Sequence, residues 1–166
     1  MPLSHPPDWL QWLQWHTPDV VAALRRSIDE NAELRKQAED YFQERVNNLT
    51  SQLLEKAKVD NGVKIVELKG VRLPEVVKNV AFAVRARVNE PTAFVAATVD
   101  PVGKPLLTVM LTDELVKDGK NASTIVREAA KAIKGGGGGQ PGFAQAGGKD
   151  AEGLEMALNT MLSNIK

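Results

Sequence analysis

The residues best suited to chemistry lie in one glycine-rich stretch. Five consecutive glycines, Gly135–Gly139, follow Lys134 and continue into Gln140-Pro141-Gly142-Phe143-Ala144-Gln145-Ala146-Gly147-Gly148-Lys149. Because glycine loses much conformational entropy on folding, such a run indicates a backbone that must approach something closely. Its bare N–H groups could bind an anion. The residues after the glycines do not have the composition of a flexible linker, so we predict a structured, glycine-rich loop.

Basic residues surround this stretch, although the chain as a whole is neutral, with 21 Lys+Arg and 21 Asp+Glu. Binding of an anion depends on the local potential, and from Lys120 to Lys149 the only acid is Glu128. Bases spaced by four and three would share one helix face that leads into the glycines. That face is either a solvated basic surface or a phosphate-binding one, and the bare backbone beside it favours phosphate. The predicted binding residues are Arg127, Lys131, Lys134, Gly135, Gly136, Gly137, Gly138, Gly139, Gln140 and Lys149.

Residues for catalysis or metal binding are scarce. The chain has no cysteine, and its two histidines, His5 and His16, precede the glycine-rich stretch by more than a hundred positions. No Asp-His-His sequence and no His-x-x-x-His pair occurs, so a hydrolytic metal site cannot be assembled from the usual ligands. We therefore predict neither a catalytic residue nor a metal site in this chain.

The segment from Gly135 to Asp150, with Thr112–Val116 and Ser123–Glu128, closely resembles the C-terminal region of bacterial alanyl-tRNA synthetases. This region is the synthetase version of the domain associated with DHH phosphoesterases. The resemblance covers the chain from about Val63 onwards, and more loosely extends back to Thr17. Related exonucleases carry a histidine in their glycine-rich motif, where this chain has Gln140-Pro141.

The resemblance implies a function for the glycine-rich stretch. It implies an α/β globular unit that holds the tRNA elbow through the loop and its flanking Lys134 and Lys149. Aminoacylation and editing would be carried out by other domains of a parent alanine–tRNA ligase. The cofactors ATP, Mg and Zn would belong to those domains, and none to this chain. The resemblance also implies a homodimer formed through a helical subdomain.

Two segments precede the globular unit. Residues 1–16 are predicted to be irregular or a short helix carrying Trp9, Trp12 and Trp15. Residues 17–60 are predicted to form a long helix that starts at Thr17-Pro18-Asp19. Its narrow apolar stripe, flanked by charges of both signs, indicates a partner helix and possible coiled-coil pairing, or else packing within its own chain. The predicted dimerisation residues are Leu24, Ile28, Asn31, Phe42, Leu49 and Leu53.

Residues 61–166 are predicted to form a small α/β domain in which helices cover a β-sheet. Alternation predicts a strand at 63–68, and continuous apolar runs predict strands at 92–99 and 106–111, the last two antiparallel. Helices are predicted from Pro74, from Asn121 or Ser123, and after Asp150. Two other functions fit the pattern: a free-standing coiled-coil interaction protein and a DNA-binding module. The lack of cysteine, of a signal peptide and of a membrane-length apolar run predicts a cytoplasmic protein that does not bind membranes.

Overall fold

A computed structural model of the chain describes residues 8–166. The elements, in chain order, are α1 (Asp8–Glu55), β1 (Lys58–Asp60), β2 (Val63–Lys69), α2 (Pro74–Arg87), β3 (Thr92–Val99), β4 (Pro105–Leu111), α3 (Asp113–Lys117), α4 (Ala122–Ala130), β5 (Gly136–Gln140), β6 (Phe143–Gly147) and α5 (Leu154–Ile165). Short 3-10 turns lie at Lys131–Ile133 and Ala151–Gly153. By its internal contacts the chain divides into two compact units, one ending at Gln43 and the other running from Glu44 to Lys166.

The long helix starts earlier than predicted. The prediction placed its first turn at Thr17, whereas α1 continues without a break from Asp8 through Pro18 for 48 residues. A proline inside a helix removes one backbone hydrogen bond and costs about 3 kcal/mol. Where helix-forming sequence lies on both sides, the helix can continue through the proline with a bend. The predicted irregular start, with His5, lies outside the described residues, as do the side chains of Trp12 and His16.

The first unit consists of the N-terminal part of α1. Its surface carries helical side-chain pairs, in which the Gln37 amide donates to Glu33 and the Gln43 amide donates to Glu39, both at 2.9 Å. The predicted apolar stripe is exposed here, with Leu24 at 60% and Ile28 at 59%. An apolar stripe on a polar helix is therefore open along this unit.

The second unit confirms the predicted globular fold of a sheet covered by helices. Six strands form one mixed sheet in the order β1-β2-β3-β4-β6-β5. β2 and β3 are parallel, joined through α2, and every other neighbouring pair is antiparallel. The predicted antiparallel pairing of the strands at 92–99 and 106–111 is confirmed, with Val95 opposite Val109.

The two faces of the sheet are buried by different helices. Alternate residues of β3, β4 and β6, such as Val95, Val109 and Ala144, pack with α4 and α5 in one apolar core. On the other face α2 buries Val76, Val77, Val80, Ala81 and Val84. The C-terminal part of α1 is attached to α2, because Arg87 donates to Asn47 at 2.7 Å and to Ser51 at 3.2 Å.

The glycine-rich stretch differs from the prediction of a loop. Its two halves are strands, β5 and β6, joined at Pro141-Gly142 into an antiparallel hairpin in which Gly137 pairs with Ala146. β5 is the edge strand of the sheet. Glycine has no side chain to alternate between faces, so its strand leaves no apolar and polar pattern in the sequence.

Candidate nucleic-acid interface

Three alternate glycines of the run Gly135–Gly139 are explained by packing. A Cβ on Gly135, Gly137 or Gly139 would lie closer than 3.0 Å to backbone atoms of the segment from Phe143 to Gly148. Side chains therefore cannot be placed there while the hairpin keeps its pairing. At these three positions the backbone does make the close approach that the glycine run predicts. It approaches the partner strand of the same hairpin.

The remaining two glycines of the run, both in β5, have different surroundings. At Gly136 a Cβ would meet no atom within 4 Å. At Gly138 it would lie 3.1 Å from Nη2 of Arg127 and 3.3 Å from Oγ of Ser123. Arg127 Nε also donates to the Gly137 carbonyl at 3.2 Å, so this arginine anchors the glycine strand to α4.

A groove of about 860 Å³ lies on the α2 face of the sheet. It is bounded by the first turns of α2, the β3–β4 turn, the start of β5 and the end of β6. Two acids and four lysines line it, together with backbone that carries no side chain. We call it the lysine groove; its charged residues are Lys78, Lys104, Lys134, Lys149, Glu75 and Asp100, and its glycines are Gly135, Gly136, Gly147 and Gly148.

Three of the four lysines are available to an anion. Within residues 8–166 no ion pair involves Lys78, Lys104 or Lys149. The Asp100 carboxylate is hydrogen-bonded within its own turn. It accepts from the backbone N–H of Val102 at 2.9 Å and of Lys104 at 2.8 Å. The positive charge in the lysine groove is therefore only partly balanced.

The fourth lysine is paired. Lys134 has a left-handed backbone with φ 49°, and its Nζ lies 2.8 Å from Oδ2 of Asp150. The hydrogen bond and charge of this partner raise the pKa of Lys134, and the same hydrogen bond lowers the pKa of Asp150. Both groups consequently remain ionised through the neutral pH range. Asp150 also accepts from the Glu152 N–H at the start of a 3-10 turn.

The structure brings together only part of the predicted binding set. Lys134, Gly135, Gly136 and Lys149 line the lysine groove, whereas the remaining predicted residues do not. Gly137, Gly138, Gly139 and Gln140 continue along β5, and Arg127 and Lys131 belong to the α4 side. The expected basic helix face does not extend to Lys134. The backbone remains right-handed helical through Lys131, whereas Lys134 has a left-handed backbone and pairs with Asp150.

Two groove residues were missed from the sequence. Lys78 lies on the exposed side of α2, and Lys104 follows the β3–β4 turn. They are 56 and 30 residues before Lys134 in the chain, respectively, and each reads locally as an ordinary surface lysine. Only the strand order, which places β4 beside β6, brings Lys104 next to the end of the glycine hairpin.

Two further properties of residues 8–166 bear on the type of site. No group of three or more His, Cys, Asp or Glu side chains is arranged to hold a metal ion in this range. No helix in the same range is long and apolar enough to cross a membrane.

Comparisons with known proteins identify relatives of this arrangement. The DHHA1 domain model matches residues 60–166. The chain is 45% identical over 152 residues to the alanine–tRNA ligase of Parabacteroides distasonis, a match that covers 92% of the chain and 17% of that protein. It is 48% identical over 147 residues to the Bacteroides fragilis enzyme, covering 89% of the chain and 17% of that enzyme. The chain thus spans about a sixth of the length of these relatives.

A solved structure shares the fold. The C-Ala domain of Aquifex aeolicus alanyl-tRNA synthetase superposes with a TM-score of 0.55 at 25% identity, covering 66% of this chain and 96% of that domain. The similarity therefore extends over nearly all of the C-Ala domain.

Proposed function

The chain belongs to the DHHA1 domain family, and from this membership we propose that it is a tRNA-binding accessory domain of an alanine–tRNA ligase. The observation that carries the proposal is the lysine groove, in which three unpaired lysines meet a glycine backbone. The high identity to alanine–tRNA ligases supports tRNA as the anion. Catalysis of aminoacylation and editing would then belong to other domains of the parent enzyme, with their ATP, Mg and Zn.

Binding in the lysine groove would be directed to the tRNA backbone. Lys78, Lys104 and Lys149 are point charges suited to phosphate oxygens. The groove wall at Gly136 carries no side chain, so a sugar–phosphate chain could lie against the sheet edge. Such contacts recognise the shape and charge of an RNA rather than its sequence. The domain would therefore hold tRNA while other domains read its identity.

The residues predicted from sequence outside the groove remain a second part of this proposal. Arg127 and Lys131 lie on the α4 side, where they could contact a neighbouring part of the same tRNA. Gly137–Gly139 and Gln140 belong to the edge strand β5, which separates the lysine groove on the α2 face from the α4 side. A tRNA that spans this edge would touch both surfaces. We place this function in the cytoplasm, where tRNA is aminoacylated.

Footprinting on tRNA tests the proposal directly. We expect the chain to protect the D and T loops of a bacterial alanine tRNA transcript from hydroxyl radicals, because the resemblance assigns the domain to the elbow. An equal mass of duplex DNA should compete poorly. Protection confined to the acceptor or anticodon stem would contradict the elbow assignment, and equal competition by DNA would favour the alternative of a general nucleic-acid-binding module.

We also propose that the helical arm mediates homodimerisation. The supporting observation is an exposed stripe along the helix. Its residues, in chain order, are Leu24, Ile28, Asn31 and Leu34. Phe42 is half-buried, as are Leu49 and Leu53, and these two leucines belong to the globular unit. The surface open to a second copy is therefore centred on Leu24–Leu34. An Asn at such a position can set the register of paired helices.

Sedimentation tests the dimer. We expect the wild-type chain to sediment as a dimer and L24K/I28K as a monomer, because charge on the apolar stripe opposes helix pairing. The matched control A22K/D29N gives the same change in net charge on the opposite side of the helix and should remain dimeric. A monomeric wild type, or an equal effect of both double variants, would refute pairing through this stripe.

A further inference from the structure

An exposed aromatic pair lies beside the lysine groove. The ring of Phe82 on α2 stacks on that of Phe143 on β6, with centroids 5.0 Å apart and an interplanar angle of 23°. Phe143 is half-buried, whereas Phe82 is 43% exposed. In the structure one aromatic ring supports another, and the outer ring faces solvent.

The aromatic pair and the lysine groove belong to one surface. Lys78, Phe82 and Arg85 are spaced by four and three, so they follow one face of α2. Along β6 the side chains of Phe143 and Gln145 alternate with Ala144 and Ala146, which point into the core on the other face. The lysine groove lies at the end of this surface marked by Lys78 and Gly147. The aromatic pair lies next to it, one turn further along α2.

The spacing along α2 suits a nucleic-acid chain. Lys78 and Phe82 are separated by about 6 Å along the helix axis, at 1.5 Å per residue. This rise is within reach of a base one or two nucleotides along the chain, because successive nucleotides of a stacked strand are about 3.4 Å apart and those of an unstacked strand are farther apart. A phosphate held at Lys78 would therefore place a neighbouring base at the level of Phe82.

Charge around the aromatic pair also favours an anionic partner. Arg85 lies beside Gly142 and forms an ion pair with Asp113, so its charge is largely balanced. Lys78 and the other unpaired lysines of the groove supply the remaining positive charge. A flat apolar ring flanked by cations is the surface on which a base stacks while its phosphates remain neutralised.

We propose that Phe82, supported by Phe143, is a stacking surface for one unstacked nucleobase of an RNA whose phosphates lie in the lysine groove. This inference rests on the proposed function, because the lysine groove supplies the phosphate contacts. It adds a second kind of contact, one that a change in ionic strength does not remove. An aromatic face accepts any base, so the contact requires no particular sequence.

Substitutions of Phe82 test this contact with an alanine tRNA transcript as the probe. F82A should bind about 5- to 150-fold more weakly, the effect of losing one base–aromatic stack. The slope of log affinity against log salt should not change, because no phosphate contact is removed. F82L keeps apolar packing without a π face and should lose most of the same affinity, whereas F82Y should restore it. Thermal melting of each variant reports whether the globular unit is folded.

A matched control uses Met156, which is 68% exposed on α5 and so lies on the opposite face of the sheet. M156A should bind as the wild type does. Equal binding by F82A and wild type would overturn the stacking proposal, and so would full binding by F82L or a reduced salt slope in F82A. In each of these cases the wild type still binds tRNA. Failure of the wild type to bind tRNA would instead refute the proposed function itself.

Discussion

Alanine at Gly137 is expected to destabilise the globular unit by about 2–3 kcal/mol, the upper part of the range of about 1–3 kcal/mol typical of overpacking a close-packed site. The new Cβ would overlap the Gln145 carbonyl and the Cα of Ala146 on the paired strand. These are backbone atoms, so they cannot rotate away as a flexible side chain would. Relief requires separating β5 from β6, and that separation also breaks the hydrogen bond from Arg127 to the Gly137 carbonyl.

The neighbouring glycine provides the matched control. Gly136→Ala makes the same chemical change one position earlier, where a Cβ meets nothing within 4 Å. We expect its stability to lie within about 1 kcal/mol of the wild type, and it could increase because alanine restricts the unfolded chain. Urea unfolding of the two variants measures the difference. Equal midpoints would show that the hairpin is not packed as described.

The lysine groove carries the second large expected effect. Replacing Lys78, Lys104 and Lys149 together with alanine should lower the slope of log affinity against log salt by about 2–3 for tRNA, since each phosphate contact contributes 0.7–0.9. Near 0.15 M salt the same counterion release corresponds to roughly 50- to 150-fold weaker binding. Filter binding or fluorescence anisotropy across a salt series measures both quantities.

Controls for this prediction separate local from overall charge. The triple variant K56A/K58A/K117A removes the same charge from exposed lysines outside the groove and should leave the slope nearly unchanged. A larger loss from Lys131→Ala than from the groove triple would move the main contact to the α4 side. Equal losses of affinity in both triple variants would show that binding depends on the net charge of the protein and not on the lysine groove.

A substitution of Asp150 is expected to increase the affinity for tRNA. Asp150→Asn removes the partner of Lys134 and should strengthen tRNA binding, with a salt slope steeper by up to about 1. Asparagine also accepts a backbone hydrogen bond at a helix start, so the contact with the Glu152 N–H can persist. Weaker binding by a folded D150N would argue that Lys134 must be held by Asp150 in order to contact RNA.

Much of the fold could be predicted from local patterns. The strand at 92–99 and the helix from Pro74 were predicted at their observed starts, because an uninterrupted apolar run and a proline after a loop are local signals. The same holds for Asn121, whose side chain accepts from the N–H of Ser123 and Thr124 at the start of α4. The helical arm was predicted in type, but its start was misplaced because proline was taken as a boundary.

The sequence alone determined that the glycine run must make a close backbone approach and that basic residues are concentrated near it. The tertiary structure decided what is approached, because a glycine strand has no side-chain pattern to reveal that it pairs with β6. It also decided which lysines act together: Lys78 lies in α2, Lys104 directly before β4, and Lys149 two residues after β6. Their proximity depends on strand order and helix placement, which arise from burial of the apolar faces over long separations in the chain, so no local spacing encodes it.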